Sequence, residues 1–351
     1  MVEFSESSLQ AVIAHYVGNQ SREEGVIASN SLLPLTEELT HALNQYFTRP
    51  FQKVNDDYRF FHDADLNLNE VYAFAKAFFE APDQLVQTSH HLLNHLYAQS
   101  QHPHIKPGEL YIASYTDVIL EGEISNVLGI FKSEQKDLFL KVNQQENLFV
   151  LQPQEGINVK KLDKGCLIFN TEQEEGFRVL SVDGNNYDAD YWIDDFLKIK
   201  PNANEIYQTK QTLSMIKGFT QDIVSQTQDK KDQAVLMNRA LKYFEEEEAF
   251  KAEEFQEKVL VKPAYKDEFK DYQRVFSEKN GMEPTSEEFA IAKPTVKKEK
   301  RKLSSLIKLD TNVQIKMDFK DPDSAEKFIE RGYDQQKQMH YYTIYFNHEK
   351  N

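Results

Sequence analysis

The segment from residue 109 to residue 183 constrains the fold most strongly, because it is a series of short β-prone runs separated by charged or Gly/Asn turns. Strands at this spacing are typical of antiparallel sheets, in which consecutive strands pair with each other. We therefore predict a central antiparallel β meander. The predicted strands are 110–115, 118–120, 127–131, 138–142, 148–151, 166–169 and 177–182.

The chain before this segment is predicted to begin with a hairpin and to continue as helices. Two β-prone runs within residues 11–33 flank a polar loop. A helix with a start signal at Thr36 follows. Two further helices come next, with Asn67 as the expected N-cap of one and Pro82 at the start of the other. Prolines and a glycine then predict a domain boundary near residue 108.

After the meander, apolar residues return to helical spacing. Helices are predicted from Tyr191 onward and through residues 201–279, followed by small strands near the end. The predicted fold class is α+β, with an N-terminal α/β segment, a central antiparallel β meander and a helical C-terminal half ending in small strands. The corresponding predicted domains are residues 1–108, 109–200 and 201–351.

Net charge limits the functions that a chain of this kind can have. In 351 residues, 57 acidic side chains outnumber 41 basic ones, which gives a net charge of −16. This balance argues against coating nucleic acid over the whole surface, but it permits a local basic patch or a basic protein partner. A single cysteine excludes an intramolecular disulfide. The acidic N-terminus and the lack of an 18-residue apolar run predict a cytoplasmic protein without a membrane helix.

The most local charge feature is a basic run over residues 293–308, which holds seven basic residues and one acidic residue. Within it, Lys297/Arg301 and Lys298/Lys302 are like-charged pairs at i,i+4, which repel each other on a helix unless an anion balances them. Phosphates would do so. The alternative is a solvated helix face that contacts the protein's own acidic surface. The candidate DNA-binding residues are Lys293, Lys297, Lys298, Lys300, Arg301, Lys302 and Lys308.

Three other clusters have structural interpretations that we favour. The acidic run Glu245–Glu248 is expected to be a solvated helix face, with a surface for a basic partner as the alternative. His91 and His95 have the i,i+4 spacing of metal ligands, but Leu92 replaces the glutamate of an H-E-x-x-H motif. These histidines are therefore expected along the polar edge of a helix. Cys166 lies in an apolar run and is expected to be a buried thiol.

Four aspartates surround Trp192 in the sequence. Paired carboxylates can hold Mg²⁺ for phosphoryl chemistry. Here they precede or begin a predicted helix, where negative side chains are favoured by the helix dipole, so we favour that role. The residues concerned are Asp188, Asp190, Asp194 and Asp195.

Several stretches together carry a resemblance to a known family. The most specific is a strand at residues 110–118 followed by Asn126–Glu134 and then Phe139–Val142, so that an "IFK-x-E" turn leads into "FLKV". The helix entry at residues 31–39 also carries the resemblance, and weaker support comes from residues 207–210 and 269–272. The chain resembles the bacterial nucleoid-associated protein (NdpA-like) family, in the form found in Bacteroidetes-type bacteria.

This resemblance implies a nucleoid-associated, non-enzymatic protein that binds DNA, DNA-handling enzymes such as type II topoisomerases, or both. Double-stranded DNA is the expected nucleic acid, and neither a cofactor nor a metal is expected. The alternatives are an acidic adaptor without direct DNA contact and a metal-dependent nuclease or phosphatase built on the four aspartates. The aromatic terminal strand at residues 341–346 suggests a homodimer formed through its edge.

Overall fold

The computed structural model describes residues 2–54, 57–146, 148–184, 191–227, 230–280, 286–301, 306–316 and 328–348. The chain forms two compact units, residues 1–202 and residues 203–351. The first unit is dominated by an antiparallel sheet and the second by helices. The α+β class predicted from the sequence is therefore confirmed.

Strands alternate with helices in the first unit. Its strands are β1 (Val2–Glu3), β2 (Ser8–Val17), β3 (Val26–Ile27), β4 (Tyr58–Phe60), β5 (Gly108–Leu120), β6 (Glu123–Ser133), β7 (Asp137–Gln145), β8 (Leu148–Gly156), β9 (Lys164–Phe169), β10 (Arg178–Asp183) and β11 (Ile199–Pro201). Its helices are α1 (Glu37–Thr48), α2 (Glu70–Glu80) and α3 (Leu85–Gln99), with a π-helical segment at Tyr191–Leu197.

Nine of these strands form one sheet in the order β11-β4-β10-β9-β6-β5-β2-β3, with β1 paired to β5. The predicted meander is present as β5, β6, β9 and β10, whose pairings are all antiparallel. Two differences from the prediction stand out. Residues 110–115 and 118–120 belong to a single strand with an irregularity between Tyr115 and Val118. Strands β7 and β8 leave the meander and pair only with each other in the described residues.

The division of the chain also differs from the three predicted domains. Strand β2 pairs with β5 from Ser8↔Thr116 to Val17↔Gly108, so residues on both sides of the boundary predicted near 108 share one sheet. Strands β4 and β11 pair in the same sheet. Long-range pairing of this kind leaves no local signal in the sequence, because the partners are separated by about a hundred residues.

The sheet is buried on both faces, and side chains of alternate residues enter two different cores. Ile112, Ile130 and Ile168 pack with α2, α3 and the π-helical segment. Their sequence neighbours Phe131 and Leu167 pack on the opposite face with aromatic residues of α1 and the turn after it. Because successive side chains of a strand point to opposite faces, double burial explains why these strands are almost continuously apolar.

A buried asparagine joins α2 to the edge of the sheet. The Asn69 side chain accepts a hydrogen bond from the Tyr72 N–H at 3.0 Å and donates to the carbonyls of Phe61 (3.1 Å), Leu197 (3.0 Å) and Lys198 (3.0 Å). The N-cap of α2 is thus Asn69, and the sequence prediction of Asn67 was wrong. Asn67 instead lies within the 3₁₀ turn Leu66–Leu68. This turn is capped by the Asp65 carboxylate, which accepts a hydrogen bond from the Asn67 N–H.

We expect Asn69→Ala to lower the free energy of unfolding by about 2 kcal/mol, because it removes a helix cap and leaves buried carbonyl groups without their donor. Urea denaturation followed by circular dichroism measures this loss. Asn67→Ala is the matched control and is expected to change stability by less than about 0.5 kcal/mol, since its side chain is exposed. Equal losses for the two variants would contradict the assigned role of Asn69.

The second unit is built on a helical core. Its helices are α4 (Glu205–Thr227), α5 (Lys230–Glu246), α6 (Ala252–Lys258), α7 (Pro263–Asn280) and α8 (Lys293–Lys300). Its strands are β12 (Ala249–Lys251), β13 (Glu288–Ala290), β14 (Leu306–Lys308), β15 (Gln314–Lys316), β16 (Ile329–Asp334) and β17 (Met339–Ile344), which form three two-stranded sheets. The helices meet around buried aromatic side chains, among them Phe244, Phe250 and Phe255. Across the described ranges, no helix has the length and apolar character needed to cross a bilayer.

Candidate nucleic-acid interface

Helix α8 carries most of the predicted basic run and is fixed to the helical core at its start. Val296 is fully buried, and the Ala292 N–H donates to Thr209 Oγ1 at 3.0 Å. Lys293 Nζ donates to the backbone carbonyls of Glu245 (3.0 Å) and Glu247. Carbonyls at a helix C-terminus lack intrahelical partners, so Lys293 caps the end of α5. This lysine has a structural role that its sequence context does not reveal.

The remaining described cations of α8 fall into two groups. Lys300 Nζ lies 2.8 Å from Glu245 Oε1, so its charge is balanced within the second unit. Lys297, Lys298 and Arg301 are exposed, and the described residues provide no ion-pair partner for them. At 100° per residue these three side chains lie within an arc of about 100° on the helix surface. They form a compact cationic face, which we call the α8 cationic face.

Two of the seven predicted DNA contacts cannot be placed. Lys302 lies outside the described residues, and Lys308 is described only as part of the backbone of β14. Lys293 and Lys300 contact acidic residues at the end of α5, as the alternative interpretation of the basic run anticipated. The α8 cationic face is therefore the part of the run whose described geometry suits an external anion.

Three of the four carboxylates in the acidic run Glu245–Glu248 contact lysines of the second unit. Glu245 pairs with Lys300, and Glu247 pairs with Lys258 at 2.6 Å. Glu248 Oε1 lies 3.7 Å from Lys293 Nζ, although the Glu248 side chain is largely exposed. Glu245 and Glu248 are thus balanced by lysines 45 to 55 residues later in the sequence, and Glu247 by a lysine 11 residues later. This pairing leaves fewer of these carboxylates for an external basic partner.

A cluster of buried charges lies where strands β6, β9 and β10 run side by side. Lys132 is directly opposite Lys164, and Lys164 is directly opposite Asp183. Lys132 Nζ donates to Glu134 Oε1 (2.8 Å), to the Lys106 carbonyl (2.6 Å) and to the Tyr191 hydroxyl (3.0 Å). Lys164 Nζ donates to Asp183 Oδ2 at 2.6 Å. We call Lys132, Glu134, Tyr191, Lys164 and Asp183 the buried ionic cluster.

The side chains of the buried ionic cluster are shielded from water, so its positive and negative charges stabilise each other. The side chains of Lys132 and Glu134 are each 1% exposed, and that of Lys164 is fully buried. Burial lowers the pKa of Lys132, and the nearby Glu134 carboxylate opposes that effect. All three N–H donors of Lys132 have acceptors, so its ammonium has no donor left for a ligand. The geometry therefore assigns Lys132 to holding the strands together. The "IFK-x-E" stretch behind the family resemblance contributes both members of this pair.

A cleft of about 740 Å³ opens in the first unit beside the start of β9. Its lining includes three exposed cations, Arg49, Lys160 and Lys161. The two carboxylates in the lining already have partners. Asp137 accepts from Asn158 at 2.7 Å, and Asp163 accepts from the backbone N–H groups of Glu134 (2.7 Å) and Gln135 (3.2 Å). The cleft is a second basic surface, which the sequence did not indicate because Arg49 is more than a hundred residues away from the adjacent Lys160 and Lys161.

The histidine pair of α3 occupies two different environments. His91 is exposed and stacks on Phe74, with ring centroids 5.2 Å apart. His95 is buried, its Nε2 lies 3.1 Å from the Phe196 carbonyl, and burial lowers its pKa. The prediction that both histidines line a polar edge was therefore wrong for His95. Within the described parts of the chain, no group of three or more His, Cys, Asp or Glu side chains could hold a metal ion.

The aspartates near Trp192 are only partly described. Asp188 and Asp190 lie outside the described residues. Asp194 and Asp195 are exposed in the π-helical segment, while Trp192 points into the core. Cys166 is fully buried, and burial raises the pKa of its thiol, as expected of a core residue.

Comparison with known proteins adds one finding to this geometry. The family model described as "Nucleoid-associated protein YejK" matches residues 13–339, which is most of both units. No curated protein matches the chain. The matched range includes the α8 cationic face, the basic cleft and the buried ionic cluster.

Proposed function

The chain belongs to the family of nucleoid-associated protein YejK, and from this premise we propose that it is a non-enzymatic cytoplasmic protein of the nucleoid that binds double-stranded DNA directly. Family membership supports a nucleoid-associated role and a nucleoid location. Beyond this role, we propose that the chain contacts DNA phosphates directly. We also propose that it contacts DNA-handling enzymes such as type II topoisomerases.

The observation that carries the proposal is the α8 cationic face. Lys297, Lys298 and Arg301 project from one exposed side of a short helix whose other side is anchored in the core. Like charges at i,i+4 on a helix destabilise it unless a counterion is present. DNA phosphates supply such a counterion and release condensed cations into solution. A narrow contact of this kind is compatible with a net charge of −16, because three cations reach only about three phosphates.

The triple variant Lys297→Ala/Lys298→Ala/Arg301→Ala is expected to weaken binding to duplex DNA by one to two orders of magnitude at low salt. The slope of log K against log [salt] is expected to fall by roughly 0.9 for each lost phosphate contact, or roughly 2 to 3 in total. Fluorescence anisotropy of a labelled duplex at several salt concentrations measures both quantities.

The matched control removes three other exposed cations from the same unit. Lys270→Ala/Arg274→Ala/Lys279→Ala changes the net charge by the same amount on α7. It is expected to leave the slope within about 0.5 of the wild-type value. If both triple variants reduce affinity equally, the effect is one of overall charge, and the α8 cationic face is not the DNA contact.

The second candidate function is an acidic adaptor that reaches DNA only through a protein partner. Exposed acidic side chains on α5 and α6, including Glu246, Glu253 and Glu257, favour it. Affinity capture of the tagged protein with and without nuclease treatment distinguishes this adaptor function from direct DNA binding. Retention of a type II topoisomerase after nuclease treatment, together with undetectable binding to purified duplex, would replace direct DNA binding with this function.

A further inference from the structure

The basic cleft lies where several segments of the first unit converge. Its walls are the turn Arg49–Lys53 after α1, the start of β7, the connection at residues 158–163 between β8 and β9, and Gly184 after β10. Its volume of about 740 Å³ is that of a small-molecule site, for which roughly 300 to 1,000 Å³ is usual. A DNA duplex, whose major groove alone is about 12 Å wide, is too large to enter it.

The segment that carries two of the three cations is held in place by Asn158. Its Oδ1 accepts the Lys160 N–H at 3.0 Å, and its carbonyl accepts the Lys161 N–H at 2.9 Å. Its Nδ2 donates to Asp137 at 2.7 Å, which ties the turn to β7. Because the turn is already ordered, a ligand that binds Lys160 and Lys161 does not have to order the backbone beneath them.

The carboxylates of the cleft hold backbone segments together. Asp163 is 8% exposed, and its Oδ2 accepts the N–H groups of Glu134 and Gln135. The Asp163 carbonyl accepts the Gly184 N–H at 2.7 Å, which joins the end of β10 to the same wall. These N–H donors already offset the negative charge of Asp163, as the Asn158 amide does for Asp137.

The cations of the cleft are placed differently from its carboxylates. Arg49, Lys160 and Lys161 are exposed, and no carboxylate in the part of the chain that the structure describes forms an ion pair with them. Arg49 stands on one wall, together with the exposed amide of Gln52, and the two lysines stand on the other. A guanidinium binds phosphate oxygens as a planar fork, and an ammonium binds them as a point charge.

From this arrangement we propose that the basic cleft binds a diphosphate group, either as free pyrophosphate or as part of a nucleoside diphosphate. Arg49 contacts the group from one wall, and Lys160 and Lys161 contact it from the other. None of the described lining residues is aromatic, so the affinity comes from the phosphates and not from stacking on a base. The proposal does not rest on DNA binding, and its residues belong to the first unit, whereas the α8 cationic face belongs to the second.

Isothermal titration calorimetry of the full chain with sodium pyrophosphate, ADP and adenosine tests the inference. Pyrophosphate is expected to bind with a Kd on the order of 10 to 100 μM, whereas adenosine is expected to show no binding at about 1 mM. A Kd for ADP at least about tenfold below that of pyrophosphate would identify a nucleotide as the ligand. Equal values would mean that the diphosphate alone is recognised, and both outcomes support the site.

Removal of the cations from either wall locates the binding. Lys160→Ala/Lys161→Ala and Arg49→Ala are each expected to raise the Kd for pyrophosphate by at least about tenfold. The matched control Lys106→Ala/Lys141→Ala removes two exposed lysines of the same unit that do not line the cleft. It is expected to change the Kd by less than about twofold. Circular dichroism checks that all variants keep the wild-type fold.

Three results would overturn the inference. The first is no binding of pyrophosphate or ADP to the wild-type chain at about 1 mM. The second is an equal loss of affinity in Lys160→Ala/Lys161→Ala and in its control, which would mean unspecific attraction by charge. The third is a chain that does not bind pyrophosphate but whose salt dependence for duplex DNA falls by roughly 2 in Lys160→Ala/Lys161→Ala, which would make the cleft a DNA contact.

Discussion

Replacing Glu134 by glutamine is expected to lower the free energy of unfolding of the first unit by about 3 to 5 kcal/mol. The substitution keeps the size of the side chain but leaves the ammonium of Lys132 in a site that is 1% exposed without its negative partner. Lys164 lies directly across the strands and adds a second positive charge to the same region. Urea denaturation monitored by the fluorescence of Trp192, which is buried in the same unit, measures the loss.

A double-mutant cycle separates the ion pair from the space that its side chains fill. Lys132→Met alone is expected to be strongly destabilising, because Glu134 then keeps an uncompensated buried charge. The double variant Lys132→Met/Glu134→Leu is expected to lose less than the sum of the two single losses by at least about 2 kcal/mol. Additive losses would mean that the pair contributes packing and not charge compensation.

The control for this cycle is an exposed pair close by in sequence. Lys136 Nζ lies 2.7 Å from Glu109 Oε1, and the Lys136 side chain is about half exposed. Glu109→Gln is expected to cost less than about 1 kcal/mol, because water screens an exposed pair. The contrast between Glu134→Gln and Glu109→Gln then reports burial, since both replace a glutamate bound to a lysine.

Elements defined by local patterns could be predicted from the sequence. The strands of the meander, the helices of the second unit and the burial of Cys166 all follow from apolar spacing or from neighbouring residues. The N-cap of α2 was misplaced by two residues because Asn67 and Asn69 have the same capping chemistry. Only the 3₁₀ turn at Leu66–Leu68, which is capped by Asp65, decides between them.

Features that depend on distant pairing could not be predicted. Strand β2 joins β5 across about ninety residues, so a proline-rich stretch that looks like a domain boundary is a connection within one sheet. Lys293 and Lys300 look like phosphate ligands in sequence, but their partners come from the end of α5. The buried ionic cluster was also missed, because lysines are rarely buried and the partners of Lys132 include Tyr191, which is 59 residues away in sequence.

The stability of the first unit is expected to decrease as the pH falls from 7 towards 4.5, because of a histidine that folds in its neutral form. His15 is 4% exposed on β2, and its Nδ1 accepts the Ser29 N–H at 3.0 Å. Burial, together with charge repulsion from the neighbouring His90, whose ring centroid lies 5.5 Å away, lowers the pKa of His15 to about 4. In the unfolded chain the same group titrates near 6.5.

The sign of the effect follows from these two values. Between pH 6.5 and pH 4 the unfolded chain binds a proton at residue 15 that the folded chain does not, so protons favour unfolding in this interval. The part of the unfolding free energy that depends on a neutral His15 is fully present above pH 6.5 and is lost as the pH approaches 4. Its upper limit is about 3 kcal/mol, at 1.36 kcal/mol for each unit of pKa difference. Burial lowers the pKa of His95 as well, which acts in the same direction.

His15→Asn removes the titrating group and keeps an acceptor near the Ser29 N–H, so it isolates the protonation effect. We expect the decrease in unfolding free energy between pH 7 and pH 4.5 to be smaller in this variant than in the wild type by about 2 kcal/mol or more. His41→Asn, which changes an exposed histidine on α1, is expected to reproduce the wild-type pH dependence. Urea denaturation at each pH measures the free energy of unfolding of the wild type and of both variants. Parallel stability curves for wild type and His15→Asn would show that His15 is protonated to the same extent in the folded and unfolded chain, and the assigned burial effect would then be wrong.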